Sequence, residues 1–559
     1  MSIDTLGVQS EGVSACAPRA FRYRAASFHH AHIEPGTLQQ VVRLGFNTVE
    51  LQLEGDTMRG FEKLRRRADE TGLLREVREH GMDIAVWTHE LSGYDPAHHG
   101  PIEIGNAALW DFLRSRYRHV CGELLPEMDY LVLTVVETQH NITDADVLVR
   151  VVEVINAEVV AAGKQLVFRS FVWHPREMES VVAAMHRMPP EVWIHTKYVP
   201  QDWHFRSIDN PLIGRFPDRV EIVEYGIAGE YIRERHLATC VADDLLERHS
   251  HWMACGVDGV SVRVNRFAGG DSDSNSAFDS LQESNLWVLM PLARGEPVAV
   301  ATGLRHYATQ RFGKAAAPAV TEALRTTGAV NMEALCVDRE TFGDPRSAVP
   351  AALTLNLTKR IAQLRERWGQ RFDIPAEMDL DTAAAQPYVD DEDFVGRNPF
   401  YSNWSVFRWD PSYAPAYQAL RRGEPEVIER KESRYAAARR CALGSLAVIE
   451  AVREQFNDPE AYRFLRWRLG ENLWHLDAMC ACSLAWLNAV RSVYTEDAGE
   501  RRVRRTAAAD WLSRVDALHA QAENETAEIL WRGKTRRLRR GEYLDLPTFL
   551  NCFRALWNM

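Results

Sequence analysis

Short apolar runs alternate with amphipathic stretches over the first half of the chain. Eight runs rich in Val, Ile and Phe are found at 21–28, 46–53, 82–89, 130–137, 165–173, 192–199, 220–227 and 257–266. Near-continuous apolar runs are typical of strands that are buried on both faces, and the segments between them have helical periodicity. Eight strand–helix repeats predict an α/β fold, a closed (β/α)8 TIM barrel. A doubly wound open sheet would give the same alternation, but no Gly-x-Gly-x-x-Gly follows the first strand, which favours the barrel.

The pattern changes after about residue 303. Ala, Leu, Arg and Glu dominate there, and 434–456 and 461–493 have the period of long amphipathic helices. An irregular segment at 373–414, rich in Pro, Asp and aromatic residues, is expected to pack over the barrel mouth. The predicted domains are an N-terminal tail at 1–20, a catalytic barrel at 21–310 and an all-helical C-terminal domain at 311–559.

Composition narrows the class of protein. The chain has 559 residues, of which 46% are hydrophobic and 26% charged, as in ordinary globular proteins. The formal net charge of −12 removes the electrostatic basis for nucleic-acid binding by the whole protein. No stretch approaches the roughly 18 apolar residues that a membrane helix needs, and the N-terminus has no signal-peptide pattern. Nine scattered cysteines argue against a disulfide framework, so we expect a cytoplasmic protein.

Charged residues follow several of the predicted strands. In a barrel, catalytic groups lie at the carboxyl ends of the strands and in the loops that follow. On strands four to eight that rule singles out Glu137, Arg169, His174, His195, Lys197, Asp202, Glu224, Glu230, Arg263, Asn265 and Arg266. A protonated acid and an ionised carboxylate that flank the scissile bond are the requirement of glycoside hydrolysis. Arginine and lysine suit an anionic substrate.

The stretch from His195 to Tyr231 resembles the core of the family 67 α-glucuronidases. Those enzymes have K-N-G-P-x-D-F, then a P-L-x-G step, then E-x-x-x-x-Q-E-Y. The matching positions here are Lys197, Pro200, Asp202, Pro211, Leu212, Gly214, Glu224, Glu230 and Tyr231. The segments at 131–137, 167–173 and 284–287 are similar to further strands and steps of that family. The chain thus resembles a divergent member or relative of the family that lacks its N-terminal β domain.

The resemblance implies a role for each matching residue. Glu137 matches the general acid, and Asp202 and Glu230 match the two carboxylates that activate water in an inverting displacement. Arg169 and Lys197 match the cations that hold the carboxylate of a uronic acid. An inverting enzyme leaves room for water between its acid and its base. The acid must stay protonated, and we expect its apolar flank and the nearby carboxylates to raise its pKa.

Four further residues are candidates for substrate binding. Trp87, Trp173 and Trp203 would either stack on a sugar face or pack the barrel rim, and Glu224 lies on strand seven. The catalytic candidates have structural alternatives as well. Glu137 could be a salt-bridged barrel residue, Asp202 a helix N-cap and Glu230 a residue that suits a helix dipole, with Arg169 and Lys197 only neutralising the acids.

The chain departs from the family in its loops. The Gly-rich segment after the acid is replaced by Thr138, Gln139, His140 and Asn141, and Gly229 stands where the family has Gln. Because these loops shape the sugar pocket, a different uronoside or another acidic glycoside, in place of a xylan side chain, stays open as the substrate.

The sequence therefore predicts an intracellular inverting glycosidase, α-glucuronidase-like, that releases a uronic acid from a small acidic carbohydrate. Hydrolysis at paired carboxylates needs no cofactor, so none is expected. No metal is expected either, since His29, His30 and His32 lack an accompanying metal-ligand motif. Nucleic-acid and membrane partners are not expected. The family tends to dimerise through its helical region, which makes a homodimer the candidate assembly. Two alternatives stay open: a metal-dependent sugar-acid isomerase or lyase, for which His174 and His195 are candidate ligands, and an inactive carbohydrate-binding barrel.

Overall fold

The eight apolar runs form a barrel of parallel strands. The computed structural model describes residues 19–29, 33–53, 57–138, 140, 142–172, 175–200, 208–227, 237–266, 275–343, 349–351, 400 and 406–557. Within them, each strand pairs with the next in chain order and β1 closes the barrel against β8. The strands are β1 Tyr23–Phe28, β2 Thr48–Gln52, β3 Asp83–His89, β4 Tyr130–Thr134, β5 Gln165–Arg169, β6 Trp193–Lys197, β7 Glu221–Gly226 and β8 Gly259–Arg263. The predicted (β/α)8 barrel is confirmed.

Helices surround the barrel because the connections between parallel strands must cross its outer face. Apolar side chains on the outward faces of the strands, most of them Val, Ile and Leu, pack against these helices in one continuous apolar core. The helices in this part of the chain are α1 Thr37–Leu44, α2 Thr57–Thr71, α3 Leu73–Glu79, α4 Pro96–His99, α5 Ala107–His119, α6 Ala145–Ala161, α7 Pro175–Arg187, α8 Ala242–Ala254 and α9 Glu283–Ala293. Between α8 and α9, the two-residue strands β9 Asn265–Arg266 and β10 Asn275–Ser276 pair antiparallel.

The inside of the barrel changes from apolar to ionisable along its axis. Near the amino ends of the strands, Tyr23, Tyr130 and Trp193 pack together, with Tyr130 5.3 Å from Tyr23 and 5.4 Å from Trp193 between ring centroids. Small and apolar side chains from five strands complete this layer: Ala25, Ala85, Val132, Val167 and Ile222. Charged side chains fill the interior above it, towards the carboxyl ends. The apolar layer closes the bottom of the barrel and leaves the chemistry at its mouth.

The remainder of the chain is mainly helical, as predicted. Its helices are α10 Val300–Phe312, α11 Ala317–Leu335, α12 Val406–Trp409, α13 Ala414–Arg421, α14 Pro425–Ala451, α15 Pro459–Tyr494, α16 Ala498–Glu523 and α17 Leu546–Trp557. Helix α15 is buried over most of its length and forms the centre of a second apolar core. The helices expected at 434–456 and 461–493 correspond to α14 and α15. Most of the aromatic-rich segment at 373–414 lies outside the described residues, although Trp409 packs against the core of the barrel.

Two short hairpins interrupt the helices. The strands β11 Cys336–Val337 and β12 Glu340–Thr341 form one, and β13 Thr526–Trp531 and β14 Lys534–Arg539 form the other. The second turns through Arg532 and Gly533, with φ of 53° and 77°. A two-residue turn with positive φ at both positions matches the right-handed twist of the strands. The hairpins are an addition to the all-helical domain expected from the sequence.

No helix in the described part of the chain is both long and apolar enough to cross a membrane.

Candidate active site

Glu137 lies just beyond the carboxyl end of β4, at the mouth of the barrel. Its side chain is 21% exposed and forms an ion pair with Nη1 of Arg169, which comes from β5 and is 1% exposed. Nε2 of His89, the last residue of β3, lies 3.6 Å from Oε2 of the same carboxylate. Three neighbouring strands therefore meet at one carboxylate that is open to solvent on one side.

The Arg169 guanidinium also binds a second carboxylate inside the barrel. Its Nε donates to Oε2 of Glu224 on β7 at 2.7 Å, and its Nη2 lies 3.4 Å from Oε1. Arg263, at the end of β8, donates from Nη2 to Oε1 of Glu224 at 2.9 Å. The fully buried Glu224 carboxylate thus lies between two arginines, which fixes the direction in which Arg169 presents Nη1 to the mouth.

Aromatic rings lie against the cations of this cluster. The Cζ atoms of Arg169 and Arg263 are 4.6 Å and 5.3 Å from the ring centre of Trp87 on β3. On the other side, Cζ of Arg169 and Nζ of Lys197 are 4.9 Å and 4.8 Å from the ring of Phe171. The negative faces of the rings stabilise cations that have been removed from water. Three cations are consequently held at the barrel mouth in a largely buried setting.

The charges in the cluster determine which carboxylates are ionised. Burial would raise the pKa of Glu137, but the charge of Arg169, together with His89 and Lys197, outweighs it and holds this pKa well below its ordinary value of 4.5. Burial is likewise outweighed at Glu224, where Arg169 and Arg263 lower the pKa to about 2. Both groups are ionised at neutral pH. The expectation that burial and neighbouring carboxylates raise the pKa of Glu137 is wrong, because the nearest charge is a cation.

A second buried carboxylate lies deeper in the barrel. Glu50 on β2 accepts hydrogen bonds from the hydroxyls of Tyr23, at 3.1 Å, and Ser261, at 3.0 Å. Burial and then the charge of Glu224 raise the pKa of Glu50 to about 7, although its hydroxyl donors act in the opposite direction. Its one ion-pair contact within the described residues is His195, whose Nε2 is 3.8 Å from Oε2 of Glu50 and whose Nδ1 is 3.8 Å from Oε2 of Glu224.

His195 is fully buried, and neither of its ring nitrogens has a hydrogen-bond partner in the part of the chain that the structure describes. Burial lowers its pKa from 6.5 to about 4. The ring is therefore neutral at physiological pH and separates an ionised carboxylate from one that holds its proton near neutrality.

The predicted site residues divide into three groups. The described residues Glu137, Arg169, Lys197 and Glu224 come together at the barrel mouth. Trp87 is buried, is 1% exposed and donates from Nε1 to the hydroxyl of Thr134 at 2.8 Å, so it packs inside the barrel instead of forming a sugar platform on the rim. Trp173, His174, Asp202, Trp203 and Glu230 lie outside the described residues.

Sequence reasoning missed two members of the site, His89 and Phe171, and named Arg263 only as one of the charged residues on strand eight. His89 is the last residue of β3, so the rule that selected Glu137 also covers it. Phe171 follows β5 by two residues. Each had the positional signal, but their contacts with Glu137, Glu224 and Lys197 depend on the tilt of strands around the closed barrel, which one sequence does not contain.

The described residues contain no group of three or more His, Cys, Asp or Glu side chains that could hold a metal ion. The arrangement at the barrel mouth offers acid–base and electrostatic chemistry. One ionised carboxylate borders solvent, and cations beside it can bind an anion and stabilise negative charge.

Comparison with known proteins gives a fold match. No protein-family model matches the sequence, and no curated protein matches it either. Among solved structures, the chain is similar to a GH138 enzyme targeting pectin rhamnogalacturonan II, with a TM-score of 0.60, 11% identity, and 99% of this chain and 69% of that chain covered. It is also similar to CpGH84D, with a TM-score of 0.41, 7% identity, and 96% and 75% covered. The first match spans the barrel and the helical region, so the whole architecture occurs in a GH138 enzyme. At this identity the likeness concerns the fold, and the resemblance to family 67 stays a hypothesis.

Proposed function

We propose that this chain is a glycoside hydrolase that releases an acidic sugar at the mouth of its barrel. The observation that carries the proposal is the contact between Glu137 and Arg169, a solvent-facing carboxylate held by a buried guanidinium. A barrel with an ionisable carboxylate at a strand end is suited to acid–base chemistry on a bound sugar. The shared architecture with a GH138 enzyme that targets a pectin polysaccharide supports the same class of reaction.

The acidic character of the substrate follows from the cations. Arg169, Lys197 and Arg263 lie together at the mouth, and Arg169 and Lys197 share the ring of Phe171. A sugar carboxylate would bind the Nη1 side of Arg169, because Glu224 already occupies its Nε side. A neutral sugar could accept hydrogen bonds from these groups but would form no ion pair with them. A uronic acid is therefore the favoured substrate.

Substrate binding would also convert Glu137 into an acid. In the free protein the charge of Arg169 is the main influence that keeps this carboxylate ionised. A sugar carboxylate that takes over Arg169 removes that influence and adds a second negative charge nearby, and both changes raise the pKa of Glu137. Glu137 would then hold a proton and donate it to the glycosidic oxygen as the leaving group departs. Binding of the uronate would thereby favour the protonated form of Glu137, the acid that assists cleavage of the uronoside bond.

The finer assignment is an inverting, α-glucuronidase-like displacement. In it, Asp202 and Glu230 activate the water that attacks the anomeric carbon from the face opposite Glu137. Its support is the ordered match of Lys197, Asp202 and Glu230 to family 67 and the acidic-sugar preference argued above.

The test is hydrolysis of aryl uronosides beside the matching neutral aryl glycosides. We expect turnover of a uronoside, with the inverted anomer as the first product seen by NMR. With a methyl uronoside, whose leaving group must be protonated, Glu137→Gln should lower kcat by about a thousandfold, within the range of a lost general acid, while Glu62→Gln on the surface should be without effect. Release of the retained anomer would contradict the roles of Asp202 and Glu230. Loss of activity with a chelator would favour the metal-dependent isomerase or lyase, and binding without turnover would favour an inactive carbohydrate-binding barrel.

A further inference from the structure

A cavity of about 490 Å³ lies between the loops that follow β3 and β4. Its volume is within the usual range of small-molecule sites, roughly 300–1,000 Å³. The residues that line it come from those two loops and from the start of α6: Pro96, Pro101, Ile102, His140, Ile142, Thr143, Asp144 and Val147. None of these lining residues belongs to the charged cluster at the barrel mouth.

Hydrogen bonds hold the walls of this cavity in place. The hydroxyl of Tyr94 lies 2.8 Å and 2.9 Å from the carbonyl oxygens of His99 and Gly100. Asn106 donates from Nδ2 to the carbonyl of Pro101 at 2.8 Å. Across the cavity, Nε2 of His140 donates to the carbonyl of Tyr94 at 2.8 Å and so joins the two loops. The cavity is therefore formed in the free protein, and a ligand would not have to order its walls.

The cavity begins close to the proposed catalytic carboxylate. His89 is the last residue of β3 and Glu137 is the third residue after β4, and their side chains lie 3.6 Å apart. His140 is three positions after Glu137 in the chain, and three residue steps span at most about 11 Å. A sugar bound to Arg169 at the mouth could therefore extend its leaving group into this cavity.

The lining of the cavity is mostly apolar and contains a carboxylate, whereas the mouth of the barrel contains three cations. Proline, isoleucine and valine side chains make most of it apolar. Burial lowers the pKa of His140, so its ring is neutral at physiological pH. Asp144 brings a negative charge and caps α6 by accepting from the backbone N–H of Val147 at 2.9 Å. An anion would be repelled here, whereas a neutral ring with an apolar face would be accepted.

We infer that this cavity is the leaving-group subsite of the enzyme and that it takes a neutral sugar or aryl ring attached to the acidic sugar. The inference rests on the proposed function for the identity of the ligand. The acidic sugar of the substrate would bind the cations of the barrel mouth, and its neutral leaving group would bind between the loops after β3 and β4. The substrate would then be a mixed glycoside, acidic on one side of the scissile bond and neutral on the other.

A binding experiment that needs no catalysis tests the site. Methyl resonances of isoleucine are followed by NMR while the full chain is titrated with cellobiose, phenyl β-glucoside or glucuronic acid. Ile102 and Ile142 line the cavity, and Ile104 lies on the same loop outside it with 50% exposure. We expect the neutral probes to shift Ile102 and Ile142 and to leave Ile104 in place, and the relative effect of the two probes distinguishes a sugar from an aryl preference. Absence of these shifts with both neutral probes, or equal shifts with glucuronic acid, would overturn the inference.

A kinetic experiment tests the role of the site in turnover. Ile102→Trp and Thr143→Trp fill the cavity from opposite sides, and Ile104→Trp is the matched control. For both filling variants we expect the KM of a disaccharide with a neutral leaving sugar to rise about tenfold relative to the KM of a methyl uronoside, a loss of ~1.4 kcal/mol. For the control this ratio should stay unchanged. An unchanged ratio in both folded filling variants would overturn the subsite. If no uronoside is hydrolysed at all, the proposed function fails, and the titration still decides whether the cavity binds a neutral ring.

Discussion

At the scale of single residues, the burial of Glu50 has a consequence for stability. Its pKa is about 7 in the folded protein against an ordinary value of 4.5, so the native state binds this proton more tightly than the unfolded state. The contribution is complete below about pH 4.5 and is lost as the pH rises towards 7. A shift of this size corresponds to about 3 kcal/mol. Above pH 7 the folded protein contains a buried and largely uncompensated negative charge.

Glu50→Gln should remove this pH dependence. We expect the variant to gain free energy of unfolding relative to the parent between pH 5 and pH 8, by about 3 kcal/mol, as measured by urea denaturation at each pH. The difference between the two proteins isolates Glu50 from Glu221, whose pKa is also raised by burial, and from His195, whose pKa is lowered. Glu62→Gln, a surface change, should show no such trend. Parallel stability curves for Glu50→Gln and the parent would mean that Glu50 is ionised in the folded protein at all these pH values.

Arg169 is the residue on which both the proposed site and its charge balance depend. Arg169→Lys keeps one positive charge but cannot bind Glu137 and Glu224 at the same time, since an ammonium lacks the planar fork. We expect KM for a uronoside to rise about thirtyfold, a loss of ~2 kcal/mol. We also expect the alkaline limb of the kcat/KM pH profile, where the general acid Glu137 loses its proton, to move to higher pH as the pKa of Glu137 rises without Arg169. Arg43→Lys, outside the barrel mouth, is the control. An unchanged pH profile would show that Arg169 does not govern the ionisation of Glu137.

At the scale of elements, the hairpin β13–β14 joins the helical region to the barrel. The Trp531 ring stacks on Phe464 with 4.1 Å between centroids, and its Nε1 donates to the carbonyl of Asp279 at 3.1 Å. Asp279 follows β8, and Nζ of Lys534 lies 3.0 Å from its carboxylate. The hairpin therefore lies beside a loop of the barrel's carboxyl-end face.

Trp531→Ala should destabilise the protein by about 3–5 kcal/mol, the usual cost of deleting a buried indole. Leu530→Ala, one residue away, is the matched control because Leu530 is 49% exposed while Trp531 is 4% exposed. That change should stay within about 0.5 kcal/mol. Both values come from chemical denaturation. Equal effects of the two substitutions would mean that the hairpin does not stabilise the junction.

The elements also explain which parts of the fold could be predicted. The barrel strands are continuous apolar runs because both of their faces are buried, so each was visible in the sequence. In β13 only Ile529 and Trp531 are buried, and in β14 only Leu538. A strand with so short an apolar face is difficult to distinguish from a charged helix by periodicity. The same limit applies to the site. The strand-end rule identifies Glu137 and Arg169 as candidates. Their ion pair, which lowers the pKa of Glu137 where the sequence predicted a rise, depends on three-dimensional packing.

At the scale of the whole molecule, α11 and α15 of the helical region contact the segment 238–240, which follows the loop after β7. Asn472 on α15 accepts from the N–H of Ala238 at 3.0 Å and donates to its carbonyl at 2.6 Å. On α11, Asn331 donates to Thr239 at 2.7 Å, and Gly328 lets the helix approach so closely that a Cβ would lie 2.0 Å from the carbonyl oxygen of Cys240. The held segment directly follows residues 228–236, the stretch that contains Glu230.

Asn472→Ala should consequently impair the site as well as the fold. It leaves the buried N–H of Ala238 without its acceptor, at a cost of about 1–3 kcal/mol, while the Ala238 carbonyl still accepts from Nδ2 of Asn331 at 2.8 Å. Asn488→Ala is the matched control, because Asn488 is buried on the same helix and donates to Leu484 within it. Both variants should lose stability in denaturation experiments. Only Asn472→Ala should also lower kcat for a uronoside at a temperature where both remain folded, because it loosens the chain next to Glu230. Equal activity of the two folded variants would mean that the helical region stabilises the barrel without positioning the stretch that contains Glu230.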